Sequence, residues 1–156
     1  MLAPGHRATV LVGWFAGNLV LDLPWWQVAA GAVIARATSA GALSPDVDRT
    51  DHWPGPHRGI THWWGTPACA GGVLLATTPP PAQWAILAAL AGWVGHIIAD
   101  GVFGRIPLWP RFGGPQWRGR WVRGGLRLRT GGRVEHFATP VLQVLAGLLV
   151  TSLVLT

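Results

Sequence analysis

The chain has 156 residues, enough for one domain and not comfortably for two. Half of its residues are hydrophobic and only 12% are charged, against about 25% in a typical soluble domain, which points to lipid rather than water as solvent. The net charge of +6 comes from 12 basic residues, all Arg, and the single Cys69 excludes both an intramolecular disulfide framework and a Cys-rich zinc module.

The mean hydropathy is +0.35. Eleven Trp and no Tyr fit a lipid setting, because indole rings favour the membrane interface. Five stretches read as membrane helices, roughly 7–23, 25–43, 64–78, 82–103 and 137–156. A span needs ~20 mostly apolar residues. The first is adequate, with Asp22 at its far end, and the second is interrupted by Arg36, Thr38 and Ser39. The third is short, with Pro67 suited to its first turn. The fourth and fifth are long enough. The expected fold class is therefore all-α, a polytopic helical membrane bundle of about four to five spans forming one domain over 1–156. The start of the chain imitates a signal peptide, but its apolar run is nearly span length and more spans follow, so cleavage is disfavoured.

The connections carry the topology. Leu23-Pro24 and Pro79-Pro80-Pro81 are short and uncharged, whereas 44–63 and 104–136 are long and polar. Arg105, Arg111, Arg118, Arg120, Arg123, Arg127, Arg129 and Arg133 lie in or beside the Arg-rich loop 104–133. Arg49 and Arg58 lie in the first long loop, Arg7 near the amino end, and Arg36 close to that loop. Threading the helices up and down gathers every Arg at one face, which the positive-inside rule makes cytoplasmic in a cell membrane. The Arg-rich loop then reads as topology plus contact with anionic lipid, ahead of nucleic-acid binding. Trp109, Trp117 and Trp121 among its arginines suit a segment lying on headgroups, built either as short strands or as an amphipathic hairpin.

The chemistry-bearing residues collect at the same face. There are six acidic residues and six His, and all but Asp22 fall at or near it. Ionisable groups near membrane spans are costly and read as functional. In residues 44–62, Asp46 and Asp48 stand two apart after Pro45, and such close carboxylates repel unless a cation lies between them. His57 and His62 follow, with Arg58 between them. Carboxylate oxygens with imidazole nitrogens suit zinc or manganese. The plainer reading is a solvated loop whose Asp residues cap helices. His96 and Asp100 stand at i and i+4 and share one helix face. They form either part of a site or a hydrogen bond locking two helices. His6 opens the first helix, and Glu135 and His136 precede the last. Glu135 is open as cap, ligand or general base. Asp51 and His52 look less constrained.

These pieces resemble the YdjM-type membrane-bound metal-dependent hydrolases. That pattern has an early His, GxLxPDxDH, HRGxTHS, an HxxxD helix leading to Trp-Pro, and TGxxxE before a final span. Here it reads as His6, GALSPDVDR at 41–49, HRGITHW at 57–63, HIIAD at 96–100 with LWP at 108–110, and TGGRVE at 130–135. The match covers most of the chain in order. Arg49 stands where the pattern has His, and Trp63 where it has Ser. The resemblance implies a helical membrane protein with a metal site and hydrolytic activity.

Together these readings give His6, Asp46, Asp48, His57, His62, His96 and Asp100 as metal-ligand candidates. Seven ligands exceed the three or four protein ligands of one catalytic zinc, so two divalent ions, zinc or manganese, would use them better. Arg58 would steady developing anionic charge and Glu135 would receive a proton. The expected substrate is a phosphoester, lipid or lipid-linked, at the cytoplasmic face. The competing expectation is a non-enzymatic membrane protein using the cluster for structural metal binding or ion transport. Oligomeric state is not legible in the sequence.

Overall fold

The computed structural model describes residues 3–41, 43–49, 59–103, 105–109, 120–123 and 132–155. Five helices dominate: α1 (Ala3–Leu21), α2 (Trp25–Ser39), α3 (Gly65–Thr77), α4 (Gln83–Phe103) and α5 (Arg133–Leu155). The only other regular elements among the described residues are short 3-10 turns and an antiparallel strand pair, β1 (Arg105–Trp109) and β2 (Arg120–Arg123). The fold is all-α in class, as expected. The strand pair lies in the Arg-rich loop, where strands and an amphipathic hairpin were both open.

α1 and α2 form a tight antiparallel hairpin. α1 stops because Asp22 takes a left-handed conformation (φ 50°), which Asp tolerates better than most residues. Its backbone N–H still donates to the Asn18 carbonyl at 3.3 Å. Pro24 then starts α2 without leaving a donor unsatisfied. This gives Asp22 a local structural role at the end away from the His/Asp residues.

α3 begins with Pro67 in its first turn and ends at Thr77. Gln83 Nε2 donates to the carbonyls of Leu75 (3.0 Å) and Thr78 (3.2 Å), so the first residue of α4 closes the open end of α3. α4 is the central helix and packs against α1, α2 and α3, while α5 lies along α1.

Small residues let these helices close. A side chain at Gly31 would collide with the Trp14 ring, whose indole N–H donates across the hairpin to the Val28 carbonyl at 2.9 Å. A side chain at Gly92 would strike Thr38 Oγ1 and the Ala35 carbonyl. Thr38 Oγ1 in turn donates across to the Ala89 carbonyl at 3.1 Å, so α2 and α4 are in backbone-close contact. The core shared by α1, α2, α4 and α5 holds Val10, Trp14, Phe15, Val28, Ala35, Ala88 and Ala146.

Two helices are long and apolar enough to cross a membrane, Pro80–Val102 and Arg133–Leu155. α2 has 15 residues and α3 has 13, so at ~1.5 Å per residue each is about 20–23 Å long, short of a ~30 Å hydrocarbon core. α3 and α4 follow the expected limits to within a residue, whereas α1 starts at Ala3 rather than 7, α5 starts at Arg133 rather than 137, and α2 ends at Ser39 rather than 43. Four to five full spans are thus more than helix length and composition establish here. The outer face of α5 is apolar and bare, with Phe137 74%, Leu148 64% and Val154 74% exposed.

Candidate metal centre

The alternating helix directions bring the start of α1, the end of α2, the start of α3, the end of α4 and the start of α5 to one end of the bundle. Three segments deliver side chains there. On α4, the i, i+4 spacing turns His96 and Asp100 to the same face, and both are buried. On α1, His6 is buried and its ring stacks on His96 with centroids 3.9 Å apart and planes 5° from parallel. The connection after α2 adds two 3-10 turns, Pro45–Arg49 and Ile60–His62. The first is shaped by Ser44, whose hydroxyl donates to the Gly41 carbonyl (2.8 Å) and accepts the Asp46 N–H (3.2 Å). The second is tied to α4 by the Trp93 indole N–H, which donates to the Thr61 carbonyl at 2.9 Å.

Four donor atoms converge. His62 Nε2 lies 3.5 Å from Asp100 Oδ2 and 3.7 Å from Asp46 Oδ1. His96 Nε2 lies 3.8 Å and 3.7 Å from the same two oxygens. Ligands 2.0–2.2 Å from a tetrahedral zinc stand about 3.3–3.6 Å apart. The observed ring is that size or slightly larger. Asp100 also reaches the other way, with Oδ1 3.4 Å from His6 Nε2. Its carboxylate therefore joins two donor groups, Asp46 with His62 and His96, and His6 with His96 and Asp100.

Both histidines at the centre are oriented from behind. His96 Nδ1 lies 2.7 Å from the Ser39 carbonyl, which only accepts, so Nδ1 carries the hydrogen and Nε2 faces the cluster. His96 Nε2 is buried with no hydrogen-bond partner among the described residues. Such an atom is costly to bury unless something occupies its lone pair. For His62, the Thr61 hydroxyl donates to Asp48 Oδ2, so its oxygen accepts from His62 Nδ1 at 3.0 Å. Asp48 Oδ2 is itself 3.3 Å from that nitrogen. Carboxylate and hydroxyl groups behind a histidine are the usual means of fixing a metal-binding imidazole.

The electrostatics suit a cation. Burial alone would push His62 down, but Asp100, Asp46 and Asp48 override it and raise its pKa to about 10. Burial pushes the Asp46 carboxyl up, yet the hydrogen bond and charge of His62 hold it below its usual value. Without a metal, protonated His62 offsets the carboxylates. A divalent ion can take over that role by displacing the proton. The donor set of two imidazole nitrogens and two carboxylate oxygens fits zinc or manganese.

Of the sequence-predicted ligands, the structure gathers His6, Asp46, His62, His96 and Asp100, and sets Asp48 behind His62. His57 and Arg58 lie outside the described residues, as do Asp51 and His52. Glu135 is buried in the first turn of α5, at the same end of the bundle, but outside the two donor groups. Arg49 is on the rim, 66% exposed, with Nη1 3.7 Å from the outer oxygen of Asp46. It braces Asp46 from a position where the resembled pattern has His. Thr61, Ser39 and Trp93 also shape the site, with no distinct mark in the sequence. The signals available were a hydroxyl inside HRGITH and polar groups interrupting apolar helices, both too common to single out.

Comparison with known protein families, curated proteins and solved structures finds no match. The fold and the cluster define an all-α protein with a buried His/Asp site able to hold a metal ion.

Proposed function

We propose that the protein is a membrane-bound metal-dependent hydrolase acting on a phosphoester at the cytoplasmic membrane face. The observation that carries this reading is the convergence of His62, His96, Asp46 and Asp100 at 3.5–3.8 Å, with His96 Nε2 buried and lacking a hydrogen-bond partner among the described residues. These four would hold one divalent ion, zinc or manganese. His6 with Asp100 Oδ1 would offer a place for a second ion beside the first. A bound ion there supplies Lewis acidity toward a phosphoryl oxygen. Asp48 and Thr61 hold His62 in its ligating orientation. Glu135 is the proton acceptor and Arg58 the group that steadies anionic charge in this reading. Arg7, Arg36, Arg49 and Arg133 share the end of the bundle that carries the cluster, which favours a cytoplasmic site under the positive-inside rule. The bare apolar face of α5 and the span-length α4 and α5 favour several membrane crossings.

Elemental analysis of the detergent-purified protein tests the reading, beside an Asp46→Asn/His96→Ala variant shown by circular dichroism to keep its helices. We expect one or two zinc or manganese ions per chain, lost in the variant together with hydrolysis of a phosphoester panel. A native protein that takes up neither metal at micromolar concentrations overturns the proposal.

A further inference from the structure

A groove of about 540 Å³ runs between α1 and α2 and opens at the end of the bundle that carries the His/Asp cluster. Its lining divides into two chemistries. Arg7, in the second turn of α1, and Arg36, in the last turn of α2, stand at that end because the hairpin is antiparallel. Beyond them the lining is apolar: Leu11 and Phe15 from α1, Ala32 and Val33 from α2. Neither guanidinium forms an ion pair with a carboxylate among the described residues. Two unneutralised arginines lining one groove are a site for an anion, and phosphate suits their planar donors. A second cavity of about 320 Å³ shares Phe15 and Ala32 and continues toward the far end along Val28 and Leu153. The space suits an amphiphile, with room for a charged head and a long apolar tail.

We infer that this groove binds a membrane lipid through its phosphate headgroup, with the phosphate between Arg7 and Arg36 and the hydrocarbon chain along Leu11, Phe15, Ala32 and Val33. The head end adjoins the cluster along both helices. His6 precedes Arg7 in sequence, and the Ser39 carbonyl that orients His96 lies three residues beyond Arg36. The groove binds the lipid whether or not the cluster holds metal. That this lipid is also the substrate rests on the hydrolase reading above.

The test uses the full chain in neutral detergent, with phosphatidic acid, phosphatidylcholine and inorganic phosphate as probes and native mass spectrometry as readout. Zinc content and circular dichroism are followed in every sample. Phosphatidic acid is expected to be retained over phosphatidylcholine. Arg7→Gln/Arg36→Gln should weaken that retention about tenfold or more, as removal of two charge-assisted contacts requires. Val33→Trp, at an exposed position, should fill the groove and weaken retention with both arginines intact. Equal retention of the two lipids, or a double variant that binds phosphatidic acid like the native chain, overturns the inference. So does inorganic phosphate competing as well as the lipid, because the apolar groove then contributes nothing. Arg-dependent binding by a native protein that takes up no metal supports the groove and strikes only the substrate role.

Discussion

His96 has both ring nitrogens committed in opposite directions. Nδ1 is fixed on the Ser39 carbonyl, and Nε2 faces Asp46 and Asp100. His62 has the same division, with Thr61 and Asp48 behind it. This makes Thr61 a positioning residue with a specific expected effect. Thr61→Val removes the hydroxyl that links Asp48 to His62 while keeping the branched shape. We expect zinc affinity to fall about 10–100-fold, the usual cost of losing an outer partner of a ligand. Competition against a chromophoric chelator measures it, and the Thr61→Ser variant should recover most of the loss. Unchanged affinity in Thr61→Val would mean that Asp48 and the backbone alone hold His62. At this scale the sequence was most legible where spacing is local. The i, i+4 relation of His96 and Asp100 needs only helix geometry. Asp46 and Asp48 look alike as candidate ligands in the sequence, because their proximity says nothing about which carboxylate faces which nitrogen of His62. That depends on Thr61 and His62, which arrive thirteen and fourteen residues later.

At the scale of the elements, the cluster depends on how closely α1 and α2 approach α4. Gly92 lies one turn before His96, under Thr38 and the Ala35 carbonyl. Gly95 faces Val10 of α1 in the same way. Gly92→Ala inserts a methyl group where the obstructing atoms include α2 backbone, so α2 must move outward. Overpacking of this kind costs about 1–3 kcal/mol. It should also lengthen the Ser39–His96 hydrogen bond, because Ser39 is one residue past Thr38. We therefore expect a lower unfolding midpoint in detergent together with weaker zinc binding. Gly72→Ala, on α3 with open space around it, serves as the control and should leave both unchanged. A Gly92→Ala protein as stable as the native chain would show that α2 and α4 need no close contact. The five helices are legible as apolar runs bounded by proline or charge, although the second is interrupted by Arg36, Thr38 and Ser39 and the third is short. The early end of α2 is not legible, since Ala40 to Leu43 are as apolar as the helix before them. The extended backbone at Ala40 (ψ 138°) stops α2 and turns the chain toward Asp46.

For the whole molecule, the question is which surfaces meet lipid and which side the cluster faces. Val20, Trp25, Val33, Val73, Phe137 and Val154 are each more than 60% exposed and come from four helices. Scattered apolar side chains are normal on soluble proteins, but a bare apolar helix such as α5 is not. In lipid that face carries no penalty, and close packing through small residues becomes the main force between helices. In the proposed membrane reading, charge distribution sets direction. The end with the cluster carries Arg7, Arg36, Arg49 and Arg133, whereas the far connections at 22–24 and 78–82 carry no basic residue. Single cysteines in a Cys69→Ser background read this directly. Arg49→Cys reports the cluster end and Pro79→Cys the opposite end, both at exposed positions. In intact cells an impermeant maleimide should label the protein carrying Pro79→Cys and spare the one carrying Arg49→Cys. Inverted vesicles should reverse the pattern. Labelling of Arg49→Cys from outside would turn the cluster away from the cytoplasm and remove the positive-inside argument. Labelling of both positions from the same side would mean that α3 and α4 form a re-entrant pair. The short α3, about 20 Å long, makes that second outcome physically specific rather than a generic failure.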